Sequence, residues 1–416
     1  MTSSCFVYIT LPGEVENVTA GQFQLTTDQK GIALGQFVYG KKYLSRNDAV
    51  EIDPIELKLQ ERLYGTARLG GVFGALRDAG PDYWGRLVIE KHSGRPILGE
   101  IDYLLESPDD RAGALSFGLG TTPPAPKRKF NKTIDLDKLQ RLAHDLVQDE
   151  LDSSDPDATQ IQELLLLGTS MGGARPKAVV EDESGLWVAK FSRPDDRWNN
   201  PRVEFAMLEL ARQCGISVAR SCIENIGGKD VLFVHRFDRE KTRNGYARAR
   251  MISGLTLLRA EDSVQKRDRW SYVVMSEELR RVVSQPKKDA AELFRRMCFN
   301  ALISNIDDHP RNHALIAMDR EWKLSPAYDL TPSPVVSEDQ RDLAMTCGAE
   351  QRFANKRNLL SECMRFLLSR DEATQIISSM EEKVESTWYD VVRACGVSVK
   401  DAETITRAFV YPGFKR

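Results

Sequence analysis

The sequence has no pair of cysteines two residues apart, no apolar run near the ~18 residues that a membrane-spanning helix needs, and almost no net charge. Its seven cysteines, Cys5, Cys214, Cys222, Cys298, Cys347, Cys363 and Cys395, are odd in number and scattered. That suits reduced thiols and argues against a disulfide framework or a CxxC zinc site. With 58 basic and 61 acidic residues the formal net charge is -3, so no global field draws the chain to nucleic acid or to an anionic membrane. Local patches must carry any such role. The first residues, Met1-Thr2-Ser3-Ser4-Cys5-Phe6, show no basic stretch leading into an apolar core, and a soluble, cytoplasmic protein with no membrane contact is expected. At 416 residues the chain is too long for one ordinary core, and its 41% apolar content can fill two or three lobes.

Residues 5–75 mix short apolar–polar alternations, at 6–10, 22–25 and 35–39, with Gly and Pro turns, which predicts a small, mostly β module. A helical segment follows around 81–90. Thr121-Thr122-Pro123-Pro124-Ala125-Pro126 breaks the pattern and marks a linker. The basic cluster Lys127, Arg128, Lys129 and Lys132 and the six carboxylates of 145–157 read as solvated surface.

From about residue 164 the pattern becomes that of a nucleotide-binding lobe. Gly168-Thr169-Ser170-Met171-Gly172-Gly173-Ala174-Arg175-Pro176-Lys177 is a glycine-rich turn leading into the strand candidate Ala178-Val179-Val180. Such turns let backbone N–H groups approach phosphate oxygens. This one is neither a Walker A loop nor GxGxxG, and a plain hairpin turn accounts for it equally. Lys190 shares a strand face with Leu186 and Val188, which fits a charge aimed at phosphates or a snorkelling edge lysine. Asn200-Pro201 opens a helix with an apolar stripe at Val203, Ala206, Met207, Leu210 and Ala211; Glu204 in its first turns either answers Lys190 or simply suits a helix start. The apolar run 231–234 emerging into His235-Arg236-Phe237 resembles the hinge of kinase lobes. The basic stretch 239–250 after it reads as a mobile loop for a substrate or partner.

The most informative stretch is Asn305-Ile306-Asp307-Asp308-His309-Pro310-Arg311-Asn312, followed by Asp329. In protein kinases a catalytic-loop Asp orients the substrate hydroxyl, an Asn five residues on holds one Mg²⁺, and a later Asp holds the other. Between Asn312 and Asp329 the apolar run 314–318, a polar break and Trp322-Lys323-Leu324 predict a hairpin, which would return Asp329 beside Asn312. Taken alone, an Asp- and Asn-rich turn flanking a hairpin explains it as well. The order of the motifs is the stronger signal.

Five segments together resemble the HipA-like serine/threonine kinases, the toxin components of bacterial toxin–antitoxin pairs. They are Asp78-Ala79-Gly80-Pro81-Asp82-Tyr83-Trp84-Gly85-Arg86, Ser170 to Lys177, Arg236-Phe237-Asp238-Arg239, Asp307 to Asn312, and Pro326-Ala327-Tyr328-Asp329. The resemblance implies an α+β, kinase-like two-lobed fold: an N-terminal β-rich subdomain (1–120), a small lobe with the glycine-rich loop (121–237), and an all-helical C-terminal lobe (238–416), with ATP and Mg²⁺ in the cleft. It implies Asp307 as the catalytic residue and Asn312 and Asp329 as metal ligands. Gly172, Gly173, Ala174, Arg175, Pro176, Lys177, Lys190, His235, Arg236, Phe237, His309, Pro310, Arg311, Asn312, Tyr328 and Asp329 would contact ATP, and Ser170 would be autophosphorylated. It further implies a small helix-turn-helix antitoxin partner (HipB-like), operator DNA reached mainly through it, and a protein target such as an aminoacyl-tRNA synthetase. Two departures stand out: His235 where members often carry Glu, and Asp308 where they often carry Gly. Asp308 adds a carboxylate next to the catalytic Asp. The alternatives are a small-molecule phosphotransferase, which shares the Asp-x4-Asn and later Asp, and a non-catalytic co-repressor docked on an antitoxin and DNA.

Overall fold

The computed structural model describes residues 3–93, 98–125, 131–132, 175–334 and 337–415. It divides into two compact units, each gathered from separate stretches: residues 1–194, 234–256 and 315–321 form the first, and 195–233, 257–314 and 322–416 the second. The linker at 121–125 is neither helix nor strand, whereas the basic residues 127–129, the acidic run 145–157, and Ser170, Gly172, Gly173 and Ala174 lie outside the described residues.

The predicted β module of the first unit is a five-stranded antiparallel sheet, in which β1 (Ser4–Thr10), β2 (Asn17–Thr27), β3 (Ala33–Tyr39), β4 (Leu63–Thr66) and β5 (Leu115–Gly118) lie in the order β4-β3-β2-β1-β5. Along β3 the period-2 rule is plain: Gly35, Phe37 and Tyr39 are buried while Gln36 and Val38 are exposed. Tyr39 Oη accepts from the Ile52 N–H at 2.8 Å and donates to the Leu57 carbonyl at 2.5 Å, fixing the following loop against the sheet.

That loop buries Asp53 completely. Its Oδ1 accepts N–H bonds from Ile55, Glu56 and Leu57, but Oδ2 has no partner among the described residues. Burial pushes its pKa up to about 6, against the pull of those backbone donors. A carboxyl whose folded pKa exceeds its unfolded value favours folding while protonated. Stability present below about pH 4 is therefore lost as pH rises to about 6, by about 2–3 kcal/mol. Asp53→Asn keeps the Oδ1 contacts and does not titrate, so urea unfolding should show the variant gaining on the parent between pH 4.5 and 7. Parallel pH profiles would rule this out.

The first unit also holds a hairpin of β7 (Lys177–Asp182) and β8 (Gly185–Lys190), with β6 (Asn131–Lys132) parallel to β7. Val179 and Leu186 form its buried centre, with Val188 and Tyr246 packed against them. The basic stretch 239–250, which comes after β9 (Ser221–Ile226) and β10 (Lys229–His235), is not a mobile loop. It forms a second hairpin, β11 (Arg239–Thr242) with β12 (Gly245–Arg248), followed by β13 (Arg250–Ser253). Arg239, Arg248 and Arg250 are buried, with Arg248 paired to Asp109 and Arg250 to Glu51. In sequence the stretch reads as a mobile loop because the partners of Arg248 and Arg250, Asp109 and Glu51, lie more than a hundred residues away.

The second unit is mainly helical. The helix Asn200–Gln213 starts where Asn199 accepts the Arg202 N–H at 3.1 Å, with Pro201 in its first turn, and the whole predicted stripe Val203, Ala206, Met207, Leu210 and Ala211 is buried. The helix Pro286–Leu302 buries Phe294, Met297, Cys298, Ala301 and Leu302, also as the period predicts. Helices also dominate from residue 356 to the end, one of them long, Arg370–Ala394, with a Ser369/Glu372 capping box. The expectation of an all-helical region from 238 onward needs correction. Besides β11–β13 it contains β14 (Ala314–Ala317) and β15 (Lys323–Leu324), runs too short to nucleate helices and held instead by pairing with each other. No helix among the described residues is long and apolar enough to cross a membrane.

Candidate active site

In the second unit the site is built on the end of the helix Pro286–Leu302. Ser304 takes a left-handed conformation, φ +52°, that turns the chain sharply. Its hydroxyl donates to the Ala408 carbonyl at 2.6 Å and accepts from Arg341, while Asn305 binds Asn300 through both backbone and side chain. The platform beneath Asp307 is thus buried and fully tied.

Above it, the Asp307 carbonyl accepts the His309 N–H at 2.8 Å and the Asn312 amide Nδ2 at 3.4 Å, and a 3₁₀ turn spans Pro310–Asn312. Asp307 itself is exposed. Its carboxyl pKa is raised. The first cause is loss of water to surrounding protein, opposed by His309 and reinforced by the charges of Asp329 and Asp308.

The predicted hairpin after Asn312 forms: the Ser325 N–H donates to the Ala314 carbonyl at 2.8 Å, and Tyr328 Oη donates to the Arg311 carbonyl at 2.8 Å. Asp329 follows with φ +60°, a second strained non-glycine residue beside the same loop. Arg311 is held at 2.9 Å by Asp262, and His309 lies edge-on to Trp270. The second unit therefore gathers Asp307, His309, Pro310, Arg311, Asn312, Tyr328 and Asp329 into one loop cluster. With Nδ2 turned to the Asp307 carbonyl, the Asn312 Oδ1 faces away from it, and an amide oxygen plus the Asp329 carboxylate are the hard donors that suit Mg²⁺. The mutual repulsion of Asp307 and Asp329 is what a cation would relieve.

Asp308 does not join this acidic face, contrary to the expectation of a second carboxylate beside the catalytic one. Its side chain is 1% exposed, turned inward to Tyr272 and His313.

The first unit holds the remaining candidates. Lys190 is half-buried at the end of β8, in register with Lys177. Lys177 is buried with its ammonium 2.8 Å from Asp82, so its charge is committed within the unit; Arg175 and Pro176 precede it. His235 packs edge-on to Trp187, over Gly185, where a Cβ would come within 3.0 Å of the imidazole. Arg236 donates its N–H to the Leu186 carbonyl and accepts at its own carbonyl from the Arg239 N–H; its guanidinium pairs with Asp110 and Asp238. The Arg236 guanidinium is thus committed within the unit. Sequence reasoning gave Asp82 no partner and missed Asp110, Tyr272, Asn300 and Ser304. One signal was available: Asp308 and His313 repeat the step of five between Asp307 and Asn312.

The fold is that of a HipA-type protein. The HipA toxin of Shewanella oneidensis MR-1, solved with HipB and its operator DNA, superposes with a TM-score of 0.69 at 16% identity, over 96% of this chain and 95% of that one. The family profile of the HipA-like C-terminal domain matches residues 169–388, more than half of the sequence, and the chain belongs to that family. Two proteins of Sinorhizobium fredii (strain NBRC 101917 / NGR234), named "Putative kinase Y4dM" and "Putative kinase Y4mE", are 27% identical over 244 residues and 26% over 160 residues. These alignments cover 54% and 36% of this chain, and 57% and 37% of those relatives.

Proposed function

We propose that this protein is an ATP-dependent serine/threonine-protein kinase acting as the toxin of a toxin–antitoxin pair. The observation that carries the reading is the loop cluster of the second unit: an exposed Asp307, Asn312 bonded to its carbonyl, and Asp329 returned by a hairpin tied at Tyr328. In this reading Asp307 orients the acceptor hydroxyl and takes its proton, Asn312 and Asp329 hold Mg²⁺, and Lys190 meets the nucleotide phosphates. Bound Mg²⁺ supplies neutralisation of charge on the transferring phosphoryl group. Residues 172–177 cover the phosphates, Ser170 is the self-phosphorylated serine, and the segment 235–237 contacts adenine.

The partners proposed are a HipB-like helix-turn-helix antitoxin, operator DNA through it, and a protein target of the translation machinery such as an aminoacyl-tRNA synthetase. The Shewanella protein, crystallised with HipB and operator DNA, supports the first two. Purified protein with γ-labelled ATP and Mg²⁺ tests the assignment. Self-labelling or label on a protein favours it, label only on a small acceptor favours a small-molecule phosphotransferase, and no transfer leaves the co-repressor. Label on Ser170 should be found by mass spectrometry in the wild type and be absent from Asp307→Asn produced in the same cells.

Asp329→Ala removes an anionic oxygen ligand and should weaken ATP binding only when Mg²⁺ is present. Calorimetric titration with and without EDTA reads this directly. Equal affinity of mutant and parent in saturating Mg²⁺ would reject Asp329 as a ligand.

A further inference from the structure

Asp308 is a buried carboxylate one peptide bond from the proposed catalytic residue, and its contacts are unusually specific. One oxygen, Oδ2, accepts from the Tyr272 hydroxyl and lies 2.7 Å from His313 Nε2. Tyr272 opens the helix Tyr272–Arg280 and is fully buried. Its hydroxyl receives the Asn300 amide at 3.3 Å, and Asn300 receives that of Asn305 at 3.0 Å. A chain of hydrogen bonds thus runs from Asn305, before Asp307, through two helices and back to His313, after Asn312. Its ends bracket the segment 307–312. The two rings meet edge-on at 5.7 Å, and His313 Nδ1 has no partner among the described residues, so the imidazole is held at Nε2 by Asp308. Apolar side chains of similar volume would pack here at lower desolvation cost, so the polar cluster is better explained by the geometry it imposes than by stability.

We propose that Asp308 is a positioning residue, which with Tyr272 and His313 clamps both ends of the 307–312 loop and so sets Asp307 against the acceptor hydroxyl. This rests on the kinase reading above. Asp308, Tyr272 and His313 are none of the residues assigned to nucleotide or metal, although the loop they hold carries Asn312, so their loss should act on turnover more than on ATP binding. Partners one shell removed from a reactive group typically alter activity 10- to 100-fold, and a displacement of about 1 Å suffices for the larger figure.

The test uses the full chain, γ-labelled ATP with Mg²⁺, and both self-labelling and a basic protein acceptor such as myelin basic protein. Asp308→Asn is expected to lower kcat about 10- to 100-fold with the KM for ATP within about twofold of the parent. Tyr272→Phe, which preserves the packed ring, should fall in the same direction. The double variant should be little worse than Asp308→Asn, because both break one network. His313→Ala should lose turnover and His313→Gln, whose amide N–H can still reach the carboxylate, should recover most of it. Hydrogen exchange of a 305–314 peptide should accelerate in the slow variants. Activity of Asp308→Asn within threefold of the parent, or losses that follow only the folded fraction, would overturn the positioning role while leaving the kinase reading intact. A parent that transfers no phosphate to any acceptor rejects the kinase reading first, and the positioning role with it.

Discussion

Asp307→Asn is expected to reduce phosphoryl transfer by about 10²- to 10⁴-fold, the contribution typical of a positioned general base, while leaving the fold and ATP affinity near those of the parent. The side chain is exposed and packs no core, so no cavity follows its loss. The carbonyl that receives His309 and Asn312 belongs to the backbone and survives the substitution. Asparagine also removes one of the two charges that repel each other across the loop, so Mg²⁺-ATP binding should fall at most modestly. Growth arrest on overexpression should disappear together with the label. Arrest at near-parental strength by a variant that transfers no phosphate would shift the balance to the non-catalytic reading, in which docking alone acts.

The catalytic segment was legible in sequence because its information is local. The Asp-x4-Asn step needs one loop, and the return of Asp329 needs one hairpin whose apolar runs and polar break stand in order. The stripes of Asn200–Gln213 and Pro286–Leu302 were readable for the same reason, since a 3.6-residue period is a property of a single helix. What could not be read was pairing at long range. Arg248 and Arg250 read as part of a mobile basic loop until Asp109 and Glu51 are brought to them. Lys177 reads as part of the loop over the phosphates, and only the fold brings Asp82 to its ammonium. Asp308 reads only as an added carboxylate next to Asp307, because nothing in its own stretch announces Tyr272, 36 residues earlier. Buried charge is invisible to a window of sequence.

The same distinction between buried and exposed pairing yields the largest expected effect on stability. Asp238 accepts two bonds from Arg236, at 3.0 and 2.8 Å, one from Arg239 at 2.7 Å, and the Gly113 N–H at 2.9 Å. Burial alone would raise its pKa, but the guanidiniums of Arg236 and Arg239 outweigh it and hold the carboxyl far below the usual range. Arg239 is pushed down to about 9, first by burial and then by Arg236, so the two cations tolerate each other only because the carboxylate lies between them. Asp238→Ala leaves both buried with Asp110 as the remaining carboxylate in the cluster, and should cost about 3–5 kcal/mol, the range seen when one partner of a buried pair is removed. Arg46–Asp48 provides the control. Its contact is just as short, 2.7 Å, but its side chains are 39% and 55% exposed, and Asp48→Ala should change stability little or not at all. Urea unfolding of the three proteins at pH 7.5 reads the comparison. Because a depressed carboxyl contributes stability above its unfolded pKa, near 4, and loses it below, the deficit of Asp238→Ala should be complete at neutral pH and shrink as pH falls beneath about 4. An Asp238→Ala variant as stable at pH 7.5 as Asp48→Ala would mean that the arginines find other partners, and that the cluster does not hold the turn after Phe237.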